Sequence, residues 1–507
     1  MKKNFTLIAA FIIFTTGLAM ADDGKGLYMK HCASCHHVER YGLKAPALIP
    51  ETLKAYKNEE LAKIIKEGLP ASQMPPFKEL LADGDIDKII SYITLPLSNA
   101  RWTKEDIVKS REVFTEPAHQ KPISNLDYEN ITLVVESSRS ITVMDGNNFK
   151  SLDKFQAGAI HGGPKFSYSL RYIYAPTRDG VITKYDLYTL KKIGSVKTGI
   201  NTRNIAISDD DKWVAAANYL PSNIVFLNDE LTPTYVLETS GKIGGIYTLI
   251  SEKKFVCAFR DVPNLWLINY TKGFEIESLA LPEPFEDISI NPFEDIIIGS
   301  SRKGTRIYIY SLKQRRVVNN FETDGMPHLA SATYWVDPVR SSPIDKQSTL
   351  NTNLSPIEKA SNGVDKGVLY TAINHLKRPV LTILDLNSGK VVKEISLNGA
   401  GFFVRTHQNT PFIWVDTNTD AIQIIDKAAL QVVKTLVPSK GKKAMHIEFT
   451  KDGRYAMASI YEEEGSLVIY DAVTLTEIMR IPLRKPAGKY NALNKTYPKI
   501  QARGDGL

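Results

Sequence analysis

Cysteine is nearly absent from this chain, with three residues in 507. That scarcity excludes a disulfide-built framework, so the fold must rest on buried apolar surface. Long apolar runs are missing after the first two dozen residues, which leaves no candidate bilayer span downstream. Dense basic blocks are missing too. The formal charge is +7, and the basic residues beyond Lys2 and Lys3 are scattered apart from short runs such as 440–443. No nucleic-acid footprint follows from such a distribution.

What is present begins with an export signal. Lys2 and Lys3 precede an apolar stretch, Leu7 to Leu18, and Ala19-Met20-Ala21 reads as a cleavage site. Residues 1–21 are therefore expected to be removed, and a diderm source would place the mature protein in the periplasm. Next comes Cys32-Ala33-Ser34-Cys35-His36. This C-x-x-C-H pattern attaches a c-type haem: two thiols bond to its vinyl groups and the histidine binds its iron. Met74, in the Pro-bounded loop Ser72 to Phe77, is the expected sixth ligand, with His31, His37 and Met29 as rivals. Apolar residues at helical spacing in Glu59–Glu67 and Asp85–Tyr92 complete a small all-α cytochrome c domain over 22–97. A linker, 98–121, follows, with a short helix expected from Lys104 to Phe114. The third cysteine, Cys257, lies in an apolar run and reads as an inert core thiol.

The rest of the chain, 122–507, is a repeat array. A strand with an acidic, amide or hydroxyl end recurs, finishing at Asp145, Asp186, Asn228, Asn269, Ser311, Asp385, Asp426 and Asp471. The steps are 41, 42, 41, 42, 74, 41 and 45 residues, the long one holding a polar insertion near 338–362. Each unit divides into four short strands. Eight such units predict an eight-bladed β-propeller, with the segment after Asp471 completing the first blade.

That topology brings distant residues to one mouth of the channel. His161, Arg203, His328, Tyr490 and His446 fall 16, 17, 17, 19 and 20 residues after their repeat anchors, in or just after the loop leading into an innermost strand. His375 sits in a loop between second and third strands, which opens on the same end. His407, at 22 residues, reads equally as strand packing or as function. Histidine in such a cluster can serve as metal ligand or proton carrier, and arginine as a carboxylate clamp.

A c-type cytochrome joined to an eight-bladed propeller resembles the cytochrome cd1 nitrite reductase-like family. His161-Gly162-Gly163-Pro164 looks like the segment bearing the proximal haem d1 ligand, and Gly199 to Asn204 like the arginine loop that receives haem carboxylates. Met326-Pro327-His328-Leu329 is similar to the distal histidine segment. Ala444 to Phe449 and Gly488 to Asn491 resemble segments of the biosynthetic members, the dihydro-haem d1 dehydrogenases. In the reductases the place of His446 is usually not histidine, whereas His375 matches their second distal histidine.

The resemblance implies an oxidoreductase that converts one propionate of dihydro-haem d1 to an acrylate, with electrons leaving through the covalent haem c. His161 and His328 would bind the d1-type iron, and Arg203 and His375 would line its pocket. His446 would be the base and Tyr490 its relay. A soluble periplasmic electron acceptor is implied, with nitrite reductase or another haem d1 maturation protein as recipient of the product. The alternatives are a nitrite reductase and a non-enzymatic haem d1 carrier.

Overall fold

The computed structural model describes residues 23–42, 45–53, 56–68, 74–97, 101–115, 121–137, 139–300, 305–337 and 367–498. The expected signal peptide and the insertion near 338–362 lie outside these residues. Among the described residues no helix is long and apolar enough to cross a membrane.

Eight antiparallel sheets follow one another around the propeller, seven of four strands and one of five. The repeat seen in the sequence has a local cause. At the end of each third strand, a side-chain oxygen accepts a backbone N–H from the turn that follows. Asp145 accepts from Asn147 (2.9 Å), Asp186 from Tyr188 (2.9 Å), Asn228 from Glu230 (3.1 Å) and Asn269 from Thr271 (2.9 Å). Ser311 accepts from Gln314 (3.2 Å), Asp385 from Asn387 (2.8 Å), Asp426 from Ala428 (2.8 Å) and Asp471 from Val473 (3.0 Å). These side chains stand in for a backbone turn and start the hairpin to the fourth strand.

Middle strands such as Ser140–Asp145 are buried on both faces, between neighbouring blades, whereas outer strands such as Lys390–Ser396 are mostly exposed. Cys257 is fully buried between the third and fourth blades, packed with Phe226 and Phe255. The ring closes as expected: the C-terminal strand Pro486–Asn491 is the innermost strand of the first blade and pairs with Ile131–Glu136. Joining the two ends in one sheet removes the edges that an open array would expose.

The cytochrome region packs a helix over 23–31 against Asn58–Glu67 and Asp83–Ile93. Leu61, Ile65, Ile86, Ile89, Ile90 and Ile93 recur every three or four residues and form its core with Tyr28. The linker differs from expectation. Its helix is Lys104–Lys109 and stops short of Phe114, because Ser110 bonds back to Ile107 O and the chain then adds a strand, Glu112–Val113, to the outer edge of the second blade.

Candidate functional site

Two centres emerge, one in each region. In the first, the short helix Ala33–His36 buries His36 and leaves the thiols of Cys32 and Cys35 free. Nδ1 of His36 lies 2.7 Å from the Pro46 carbonyl, so it carries the proton and Nε2 keeps its lone pair for a metal. Burial holds the ring below its ordinary pKa, which favours the neutral form a metal needs. Met74 packs against the same core as Cys32. Of the rivals, His37 stacks on Tyr41 with 5.5 Å between ring centroids, and His31 meets Phe77 edge-on. The residues present fit a covalent c-type haem held by Cys32 and Cys35, with His36 and Met74 as the candidate axial pair.

The second centre is the channel mouth, where residues from distant repeats form a closed circuit. His161 sits in the loop entering the second blade, its Nδ1 3.2 Å from Thr202 O. Gly162 and Gly163 let that loop approach: a Cβ on Gly162 would lie 2.5 Å from Asn204 Cβ, and one on Gly163 2.6 Å from the Tyr490 ring. Arg203, on the innermost strand Asn201–Ile207, donates to Gly244 O and shares a cavity of about 80 Å³ with Asp287, Met326 and His328. His328 Nδ1 lies 2.6 Å from Phe402 O. Phe403 then covers His446, with centroids 4.4 Å apart, and His446 faces Tyr490 at 5.6 Å. Tyr490 returns the circuit to Gly163.

His446 occupies a bulge in its strand, with φ of 51° and a register shift between Met445 and Ile447. A bulge turns a side chain out of the alternation, and a non-glycine residue in left-handed backbone commonly marks function. Three features hold it there. Asp416 accepts N–H bonds from His446 (2.9 Å) and Phe402 (2.7 Å), Lys489 Nζ donates to His446 O, and Lys489 N–H reaches His446 Nδ1 at 3.3 Å.

The electrostatics are lopsided. Burial drives His446 well below its ordinary pKa, and Lys489, Arg405 and Lys495 add to the effect. His161 is pushed down to about 3 by burial, then by Arg178 and Arg203. Burial lifts Tyr490 to about 12 and lowers Lys165 to about 8. Both histidines are thus neutral and Tyr490 keeps its proton near pH 7.

Two histidines read from the sequence stand apart from this circuit. His375 is fully buried and spends both ring nitrogens on the protein, Nδ1 on Asp324 O (2.6 Å) and Nε2 on Thr382 Oγ1 (2.9 Å). It braces the bridge to Pro327, next to His328, and offers no nitrogen to a pocket. His407 bonds to Lys451 O and to Asn409 N–H, and is a packing residue.

The structure also adds groups that the sequence reading missed. Lys165, Arg405 and Lys489 lie on innermost strands, Lys495 follows the last one, and Asp416 ends a second strand. For Lys165, Arg405 and Lys489 a signal was available: a charged residue within an innermost strand of a propeller faces the channel or a blade junction. Arg405 donates to Ser331 O (3.0 Å), and its buried Nε has no partner among the described residues. A larger cavity, about 330 Å³, lies among Trp335, Gln408, Pro411 and Lys427 and includes none of the mouth residues.

Residues 126–342 and 364–495 match the family described as "Cytochrome D1 heme domain". The chain is also 36% identical over 492 residues to the "Dihydro-heme d1 dehydrogenase" of Pseudomonas aeruginosa (strain PAO1), covering 93% of this chain and 94% of that protein. This chain belongs to the cytochrome D1 heme domain family, among the dihydro-heme d1 dehydrogenases. Its residues 19–93 match "Cytochrome C oxidase, cbb3-type, subunit III", in accord with the c-type haem of the first centre. A solved structure described as "Dihydro-heme d1 dehydrogenase NirN in complex with DHE" superposes with a TM-score of 0.85 at 35% identity, covering 94% of this chain and 100% of that one. The nitrite reductase of Stutzerimonas stutzeri is more distant, 22% identical over 533 residues and covering 93% and 92% of the two chains. The eight blades and the cytochrome region are thus the family's architecture.

Proposed function

We propose that this protein dehydrogenates one propionate of dihydro-haem d1 to an acrylate, giving haem d1, in the periplasm. The conversion of –CH2–CH2–COO⁻ to –CH=CH–COO⁻ releases two protons and two electrons. The observation that carries the reading is the pairing of a buried, neutral His446 with Tyr490 inside a ring of cations.

The residues divide the work. His161 and His328 both have Nδ1 on a backbone carbonyl, which leaves Nε2 as a ligand for the substrate's iron. Arg203, Arg405, Lys165 and Lys495 suit a macrocycle bearing several carboxylates, and the Nε of Arg405, without a partner among the described residues, is the donor that a carboxylate would satisfy. His446 takes the two protons leaving the propionate one after the other, and Tyr490 orients the side chain or passes each proton outward. To act at Nε2, the imidazole must carry its resting proton on Nδ1, so the long contact from Lys489 N–H has to yield when substrate enters. The entering carboxylate also offsets the cations that add to burial in lowering the His446 pKa, and so strengthens it as a base. A haem c held by Cys32, Cys35 and His36 would supply a one-electron outlet, so each turnover would need two oxidations by a soluble acceptor.

Nitrite reduction is the poorer reading. It would use His328 and His375 as a pair of proton donors, and both nitrogens of His375 are already committed.

The test is direct. Oxidised protein in at least twofold molar excess over dihydro-haem d1 should yield a product two hydrogens lighter by mass analysis, with two equivalents of the c-type haem becoming reduced per product. Unchanged mass, with the tetrapyrrole tightly bound, would leave a carrier instead.

A further inference from the structure

The residue that joins the two centres is Lys197, at the end of the fourth strand of the second blade, Lys191–Lys197. It is buried, and its ammonium crosses to the cytochrome region, donating to Tyr41 O and Gly42 O at 2.8 Å each. Those carbonyls belong to the loop that follows His36, and Gly42 N–H in turn donates to His36 O at 3.0 Å. The linker grips the same lysine from the other side. Trp102 Nε1 donates to Lys197 O (2.8 Å), the indole ring lies 4.9 Å from the ammonium, and Lys197 N–H donates to Ser110 Oγ (3.0 Å). Around this contact Tyr41, Ala47 and Ile49 pack on Ile200. Ile200 lies three residues before Arg203 and two before Thr202, whose carbonyl holds His161. The Lys197 side chain therefore touches the haem c loop and the Trp102 ring of the linker, while its backbone bonds to Trp102 and Ser110, and the same loop packs on Ile200 at the start of the strand that builds the propeller site.

We propose that Lys197 is a positioning residue that docks the cytochrome domain on the propeller and thereby sets the rate of electron transfer from the bound tetrapyrrole to haem c. Transfer between two centres falls steeply with their separation, so a loop free to swing would lose rate even with both sites intact. The loop is held twice. Arg40 ties it to its own domain through Tyr92 O (2.8 Å), Ile93 O (2.8 Å) and Leu95 O (3.0 Å), and Lys197 ties it to the propeller. Burial pushes Lys197 down to about 8, Asp179 opposes that, and the neighbouring His37 ring feels the ammonium. A buried ammonium that meets two carbonyls and an aromatic face is worth more than a surface lysine, because no water competes for it.

This inference rests on the direction of electron flow given under the proposed function, and the experiment separates the two. Oxidised wild type, Lys197→Met and Lys197→Arg are mixed with dihydro-haem d1 in a stopped-flow instrument, and the appearance of reduced haem c is followed. Tetrapyrrole affinity is measured by titration, and reduction of haem c by ascorbate is timed separately. The expected result is at least a tenfold slower substrate-driven reduction in Lys197→Met, with affinity and ascorbate reduction within twofold of wild type. Lys197→Arg, which keeps charged donors, should recover most of the rate. Equal rates in wild type and Lys197→Met would overturn the docking role. So would a loss of affinity in Lys197→Met that arginine does not restore, since the lysine would then be holding the fold. If wild type itself shows no substrate-driven reduction, the direction of electron flow falls, and the docking role with it.

Discussion

The haem c centre and the channel mouth use the same device at very different sequence ranges. In each, a histidine places Nδ1 on a backbone carbonyl and leaves Nε2 open. The carbonyl for His36 is ten residues away, whereas those for His161 and His328 are 41 and 74 residues away. His375 and His407 are as deeply buried as His446 but spend both nitrogens on the protein. Burial therefore does not separate a functional histidine from a packing one here; the fate of the second nitrogen does. A local site can be assembled by one short segment, while a distributed one needs several loops held in register. Asp416 shows how: its carboxylate fixes His446 directly and Phe402, whose carbonyl holds His328.

The largest way to test that contrast is to remove the chemistry of the mouth while sparing the haem c centre. Asn suits the left-handed backbone of His446 but cannot accept the proton. His446→Asn should lower turnover about 10²- to 10⁴-fold, the usual range for a lost general base. Its haem c spectrum and tetrapyrrole affinity should stay near wild type, measured by steady-state assay and titration.

A smaller effect should follow from the cation ring. Arg405→Met removes a donor to a carboxylate, a bond worth about 1.5–3 kcal/mol when charged. The tetrapyrrole should dissociate roughly ten- to a hundredfold more readily, with haem c again unchanged. An unaltered Kd would show that Arg405 does not face the ligand.

The smallest effect concerns a packing histidine. His407 is lowered to about 4 by burial, against about 6.5 in an unfolded chain. Above pH 6.5 both states are neutral and His407 adds no pH dependence. As the pH falls from 6.5 toward 4, the unfolded chain binds a proton that the folded chain refuses, so stability is lost. His407→Gln should therefore lose about 1–2 kcal/mol less than wild type between pH 7 and pH 5, measured by urea midpoints. An identical acid sensitivity would mean that His407 is protonated in the folded protein.

Much of this was legible in the chain itself. The pentapeptide Cys32 to His36 declares the haem c centre because all its covalent chemistry is contiguous. The propeller declares itself because each blade repeats one local bond, from the side chain at the end of the third strand to the turn that follows. Strand topology then placed His161, Arg203, His328, His446 and Tyr490 at one mouth. Other features were decided only by tertiary structure. His375 has a suitable position in its blade, but its ring is trapped by Asp324 O and Thr382 Oγ1. Lys165, Arg405, Asp416 and Lys197 gain their meaning from partners in other blades or in the cytochrome region. Periodicity fixes which way a strand residue points. It does not fix which group from a distant repeat will meet it, because that depends on how the blades and the haem domain pack in three dimensions.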